Sequence, residues 1–240
     1  MKIRLDVMLT ERGLAESREK AQALVIAGEV LVNGLKASKP GQSVDSAADV
    51  QVLARPPYVS RGGLKLAEAI RSFNIAVAGR ICLDIGASTG GFTDCLLQNG
   101  AARVHTVDVG AGQIDWKLRG DPRVILHEKL NARYLRFEDI GETVSLAVCD
   151  VSFISVTMIL PALPPLLQPN TEMVILIKPQ FEVGRDQIGK GGIVRDPVQH
   201  VAACERVESA VRQMGFKTEI IDSPILGAEG NKEFLLYARH

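Results

Sequence analysis

Residues 81–97 read ICLDIGASTGGFTDCLL. Ile81, Cys82, Leu83 and Ile85 make a short apolar run, and Asp84 interrupts it where a strand would end. Gly86, Gly90 and Gly91 then supply a tight turn and let a ligand approach the backbone. Phe92, Cys95 and Leu96 follow at helical spacing. Residues 104–109 form a second apolar run that carries Asp108 near its end. A strand, a glycine turn, a helix and a strand ending in an acid make the first half of a nucleoside-binding α/β sheet. The acid of the second strand is placed to accept hydrogen bonds from a ribose.

The identity of the nucleoside follows by comparing templates. The dinucleotide fingerprint requires glycine where Ser88 stands. The phosphate loop requires lysine where Phe92 stands, so nothing would hold a triphosphate. What remains, Asp84-x-Gly86-x-x-x-Gly90-Gly91, resembles motif I of S-adenosylmethionine-dependent methyltransferases. An α/β turn without a cofactor is the alternative. The resemblance implies cofactor contacts at Asp84, Gly86, Ser88, Gly90, Gly91 and Asp108, with Asn131, just past a third strand at 124–127, beside the adenine. Trp116 is a candidate for the adenine or for packing.

Outward from this centre, residues 61–73 mark an amphipathic helix through Leu64, Ala67, Ile70 and Phe73. Strands are expected at 144–149, ending in Asp150, and at 173–177, ending in Lys178, with a helix over 155–167 between them. A helix over 197–214 and two strands, 217–221 and 233–237, complete the chain. Alternating strands and helices predict a mostly parallel sheet covered on both faces, with right-handed crossovers. The short link between the last two strands predicts an antiparallel pair at one edge. The fold class is thus α/β, a Rossmann-like methyltransferase sheet preceded by a small α+β unit. The loop 183–195, with Gly184, Gly189, Gly191 and Gly192, is read as a hinge-rich segment that orders over RNA or the cofactor.

At the front, residues 4–13 predict a helix with Leu5, Met8 and Leu9 on one face, and Ser17 caps a second helix ending at Gly28. Asn33-Gly34 between apolar pairs is a strong hairpin signal. The stretch RLDVMLTERGLAESREKAQALVIAGEVLVNG resembles the RNA-binding domain first described in ribosomal small-subunit protein four. That resemblance implies phosphate contacts from Arg4, Arg12, Arg18, Lys20 and Lys36, with Lys39 nearby. Solvation of exposed faces is the competing reading of these charges. The domains are expected at 1–54 and 61–240, with 55–60, containing Pro56-Pro57, as an extended linker.

In an open α/β sheet ligands sit outside the carboxyl ends of the strands. Asp150 and Lys178 end neighbouring strands there, and Lys65 and Glu233 flank the same mouth. The order Lys65, Asp150, Lys178, Glu233 resembles the tetrad of FtsJ-like ribose 2′-O-methyltransferases. The settings SRGGLKL, CDVSFIS, LIKPQFE and GNKEFLLY resemble the TlyA-type family, whose members carry ribosomal RNA methyltransferase and haemolysin names. The resemblance implies S-adenosylmethionine as methyl donor and a cytidine 2′-hydroxyl of 16S or 23S ribosomal RNA, free or within ribosomal subunits, as acceptor. Lys178 would take the hydroxyl proton and Asp150 would orient its ammonium group, with Lys65 and Glu233 holding the pair and the ribose in place. Ordinary surface ion pairs are the alternative for these four.

Composition sets bounds. The chain has 240 residues, 46% of them apolar, and zero formal net charge, with a slight basic excess at the front. Cys82, Cys95, Cys149 and Cys204 form no C-x-x-C and have no histidine at ligand spacing, so no metal site is expected. Free thiols and the absence of a signal peptide or of an 18-residue apolar run point to a cytoplasmic enzyme without stable membrane association. A membrane-active haemolysin and a non-catalytic RNA-binding assembly factor are the rival functions.

Overall fold

A computed structural model describes residues 2–53, 56–184, 187–227 and 230–240. They fall into two units, Met1–Pro56 and Pro57–His240. Of the expected linker, Ala54 and Arg55 lie outside the described residues. Tyr58 and Val59 already pack against the core of the second unit.

The first unit runs β1 (Lys2–Arg4), α1 (Leu5–Glu11), α2 (Arg18–Ile26), β2 (Val30–Val32), β3 (Leu35–Lys36), β4 (Ser43–Asp45) and β5 (Val50–Val52). Leu5, Met8 and Leu9 meet Ala21 and Val25 because the 3.6-residue period puts each set on one helix face. The Ser17 hydroxyl accepts from the Lys20 amide and satisfies a donor that has no partner within α2. Asn33 and Gly34 both have positive φ, 49° and 78°, the requirement of the two-residue turn joining β2 to β3. β1 pairs with β4, and β5 joins β2, all antiparallel.

The second unit runs α3 (Gly62–Ser72), β6 (Ile81–Ile85), α4 (Gly91–Gln98), β7 (Arg103–Asp108), α5 (Trp116–Arg119), β8 (Val124–Glu128), α6 (Phe137–Ile140), β9 (Val144–Cys149), β10 (Leu167–Ile177), α7 (Pro179–Glu182), α8 (Pro197–Gln213), β11 (Lys217–Asp222) and β12 (Phe234–Arg239). Its seven-stranded sheet has the order β11-β12-β10-β9-β6-β7-β8. β8 through β10 are mutually parallel, and β12 inserts antiparallel between β10 and the edge strand β11. Strand order reverses between β6 and β9, so the crevice above Asp84 and Asp150 is the topological switch point where such sheets bind ligands.

Alternate residues of each strand feed two cores. Leu83, Val107, Ala147, Ile175 and Leu236 face Leu160, Leu163 and the Ala203–Val207–Val211 stripe of α8. Cys82, Val104, Leu146, Val174 and Leu235 face Leu66 and Ala69 of α3 and Phe92 and Leu96 of α4. All four cysteines are free.

One expected helix is corrected. Residues 155–167 form three 3-10 turns, Val156–Met158, Leu160–Ala162 and Pro164–Leu166. Pro161, Pro164 and Pro165 lack the N–H an α-helix needs, and their rings clash with the preceding turn. β10 then begins at Leu167, ahead of the expected 173, and passes a register shift before Glu172.

Candidate active site

β6 delivers Asp84 into a fully buried position under the glycine turn. Its Oδ2 accepts from the Thr93 hydroxyl at 2.6 Å, and Oδ1 has no hydrogen-bond partner. Burial is the main cause that pushes the Asp84 carboxyl up to about 7; Thr93 opposes it, and the charges of Asp150 and Asp108 add to it. Gly86 follows at φ 84°, and a Cβ there would stand 2.4 Å from the Asp150 carbonyl oxygen, so only glycine lets the turn pass beneath β9's end. Gly90, at φ 95°, begins α4 and packs on Leu118. Gly91 sits against Ser60.

At the end of β7, the two carboxylate oxygens of Asp108 accept from the amides of Ser88 (2.8 Å) and Gly110 (2.7 Å). Asp108 therefore pins the glycine turn, and each oxygen keeps a lone pair for a further donor. Asn131, past β8, caps a 3-10 turn by accepting from the Arg133 amide. Gly86, Ser88, Asp108, Asn131 and Asp150 line one cavity of about 320 Å³, with Val107, Val109, Leu130 and Ile159 supplying apolar walls. Trp116 lies 76% exposed on α5, with Lys117 over its ring, so it is not a packing residue.

A second cavity adjoins the first through Gly86, Ser88 and Asp150, and Lys65, Lys178 and Gly91 also line it. Lys178 Nζ stands 2.6 Å from Asp150 Oδ1 and donates to the Ser152 hydroxyl at 2.8 Å. The Asp150 contact is an ion pair without hydrogen-bond alignment. Lys65, from the first turn of α3, donates to Glu233 Oε2 at 2.5 Å, and their side chains are only 9% and 2% exposed. The tetrad is thus two ion pairs, with Glu233 standing behind Lys65.

Three residues here escaped the sequence reading. Ser152 holds Lys178, and Glu182, buried on α7, accepts from Ser155 and Val156. Phe153 stands at the rim of the first cavity, 91% exposed, with φ 66°. The one sequence signal for Phe153 was an aromatic residue between Ser152 and Ser155, three residues after a strand-end acid. Around the loop 183–195, Arg185 and Asp186 lie outside the described residues. Its far end is held by Asn231, which accepts from the Val194 amide and donates to the Gly192 carbonyl.

In the first unit four of the five basic candidates, Arg4, Arg12, Arg18 and Lys20, have internal partners. Arg4 and Arg18 both donate to Asp6, joined by Gln22, and Asp6 is fully buried. The Arg4 guanidinium, before the other donors, holds the Asp6 carboxyl far below the ordinary carboxylate range. Arg12 donates to the carbonyls of Ala48 and Ser46. Lys20 pairs with Glu16, and Lys36 is exposed on β3. The arginines keep about half their side-chain surface open at Arg4 (49%) and Arg18 (54%), so each guanidinium still presents outward donors.

Comparison with known proteins places this geometry. The FtsJ-like methyltransferase family model matches residues 58–240, and the S4 domain model matches residues 3–50. The chain is 48% identical to YqxC of Bacillus subtilis, named as a candidate rRNA methyltransferase, over 98% of this chain and 85% of that one. It is 46% identical to the 16S/23S rRNA (cytidine-2′-O)-methyltransferase TlyA of Mycobacterium tuberculosis, over 98% of this chain and 89% of that one. Among solved structures, a candidate hemolysin from Streptococcus thermophilus superposes with a TM-score of 0.76 at 46% identity, covering 99% of this chain and 88% of that chain. Among the described residues, no helix is long and apolar enough to cross a membrane. With a parallel sheet, a glycine turn at its switch point and both ion pairs beside it, this chain belongs to the FtsJ-like methyltransferase family, in its TlyA-type branch, with an S4 domain in front.

Proposed function

We propose that this protein transfers a methyl group from S-adenosylmethionine to the ribose 2′-hydroxyl of a cytidine in 16S or 23S ribosomal RNA, in the cytoplasm. The observation that carries the reading is the Lys178–Asp150 pair, 2.6 Å apart, opening beside the glycine-turn cavity.

The residues fit the cofactor. Asp84 keeps a buried oxygen without a partner, and the carboxylates of Asp108 and Asp150 flank the turn with negative charge suited to a sulfonium and an ammonium. Asp108 has lone pairs left for ribose hydroxyls, and the apolar walls beside Asn131 suit an adenine face. When bound, S-adenosylmethionine supplies an activated methyl group.

The second cavity takes the RNA ribose. Lys178 first passes its own proton to solvent and then takes the hydroxyl proton, and Asp150 holds the ammonium so restored where Ser152 already orients it. Lys65 presents a second cation whose charge Glu233 balances from behind. Holding the hydroxyl in line does most of the remaining work. Phe153, exposed at the rim, offers a stacking face for the base of the acceptor nucleotide. Arg4, Arg12, Arg18, Lys20 and Lys36 hold phosphates through the S4 domain, raising the effective concentration of RNA for the same chain.

The test is transfer of labelled methyl to purified 30S and 50S subunits lacking the modification, followed by ribose-versus-base analysis. Lys178→Ala should bind S-adenosylmethionine normally and lose transfer by roughly 100-fold or more. Retained transfer in that variant would remove Lys178 from the chemistry. Cofactor binding by the wild-type chain with label on neither subunit would refute the acceptor.

A further inference from the structure

Lys178 is the N-cap of α7 and Glu182 closes it, so the two stand about one helical turn apart. Together they hold both ends of one short segment. Lys178 donates to the Ser152 hydroxyl at 2.8 Å. Glu182 Oε2 accepts from the Ser155 hydroxyl at 2.5 Å, and Oε1 accepts from the Val156 amide at 2.8 Å. Arg206 donates to the Glu182 carbonyl at 2.8 Å and ties the end of α7 to α8.

Phe153 lies between the two anchors. Its φ of 66° is a left-handed conformation that a bulky side chain adopts only when its surroundings over-determine it. Its ring projects into solvent, touching the Phe181 ring at 5.4 Å. Among the described residues, the Phe181 contact is the one aromatic contact of an otherwise open ring and is itself carried by α7, so the conformation is kept from α7, by that ring and by the anchors at the two ends of the helix. A carboxylate is a costly anchor, since burial pushes the Glu182 carboxyl up while Ser155 and Val156 pull it back.

We propose that Glu182 is a positioning residue, which clamps residues 152–156 and so holds the Phe153 ring out as the platform for the base of the acceptor nucleotide. The proposal rests on the function given above.

The test uses the full chain and labelled methyl transfer to undermodified ribosomal subunits. Phe153→Ala should lower kcat/KM by roughly 5- to 150-fold, the range of one lost stacking contact. Glu182→Ala should lower it by about fivefold or more, and the double variant should lose no more than Phe153→Ala alone. Because Phe153 stands at the rim of the cofactor cavity, kcat/KM for the ribosomal subunit is read at saturating S-adenosylmethionine in all three. Glu182→Gln should restore transfer, because its amide oxygen can accept from Val156 and its NH₂ can donate to Ser155. Losses that multiply in the double variant, or a Gln variant no better than Ala, would overturn the clamp. Should Glu182→Ala misfold, Ser155→Ala removes one clamp bond and carries the same cycle. Should the wild-type chain methylate neither subunit, the function falls and the clamp is read without substrate. For that reading, Phe153→Trp is placed in a Trp116→Phe background, so that a single tryptophan reports on the segment. Its fluorescence anisotropy should fall when Glu182→Ala is added; equal anisotropy would overturn the clamp.

Discussion

Removing Glu233 should unfold the second unit far more easily than the loss of its hydrogen bond to Lys65 suggests. Glu233→Ala leaves the Lys65 ammonium, 9% exposed, without its counter-charge at 2.5 Å. Both partners are too buried for solvent screening to soften the loss. Breaking such a pair from one side costs about 3–5 kcal/mol, because a charge stays buried and uncompensated. At about 2–4 °C per kcal/mol for a unit of this size, the melting temperature should fall by roughly 6–20 °C. The assay is near-ultraviolet circular dichroism during heating or urea unfolding. Trp116 and all three tyrosines, Tyr58, Tyr134 and Tyr237, lie in the second unit, so their signal reports that unit alone. The control is Lys65→Met with Glu233→Leu, which replaces both charges by apolar groups of similar volume. That variant should match or exceed wild-type stability while losing methyl transfer. A Glu233→Ala variant within about 1 kcal/mol of wild type would show that water reaches Lys65, and the account of the pair would be wrong.

Two further outcomes concern charge elsewhere. The Asp6 carboxyl is depressed by Arg4 and Arg18, so its stabilisation is present above the ordinary carboxylate range near pH 4 and is lost as pH falls below it; Asp6→Asn should remove that acid sensitivity of the first unit and weaken RNA binding by releasing both arginines, as read by melts from pH 3 to 7 and filter binding. His127 faces His105 at 3.0 Å, and His105 also contacts Glu142 at 2.8 Å, so the facing nitrogens accommodate one proton. Burial first, then His105, lowers the His127 pKa below its ordinary 6.5. The unfolded chain therefore takes up a proton that the folded one refuses, and stability should fall as pH drops below about 6.5. His127→Asn should flatten that slope in calorimetry, and an unchanged slope would exclude this pair as its origin.

Much of the architecture was legible in the chain because it rests on local rules. The run 81–97 carries a strand, a turn and a helix in one stretch, and β6, Gly86 and α4 follow it directly. Ser17 and Asn33-Gly34 mark a cap and a hairpin through chemistry that acts within a few residues. The segment 155–167 was read as the helix expected between two parallel strands, yet its three prolines forbid the α-helical hydrogen bonds.

What the tertiary structure decided were relations between distant residues. Four charged residues could be named from their motifs, and Asp150 was already placed beside Lys178 at neighbouring strand ends, but the direct pairing of Lys65 with Glu233 appears only in the folded sheet. β9 and β10 lie side by side and bring Asp150 to Lys178, while the loop entering β12 brings Glu233 to Lys65, 168 positions away. The same holds for Asp6, whose burial turns Arg4 and Arg18 from independent surface charges into a joined pair. It holds also for Phe153, whose exposure is set by anchors on α7 and not by any periodicity of its own segment. Secondary structure and turn chemistry are short-range and can be read along the chain; ion pairing, desolvation and backbone strain arise only when the sheet closes the distance between partners.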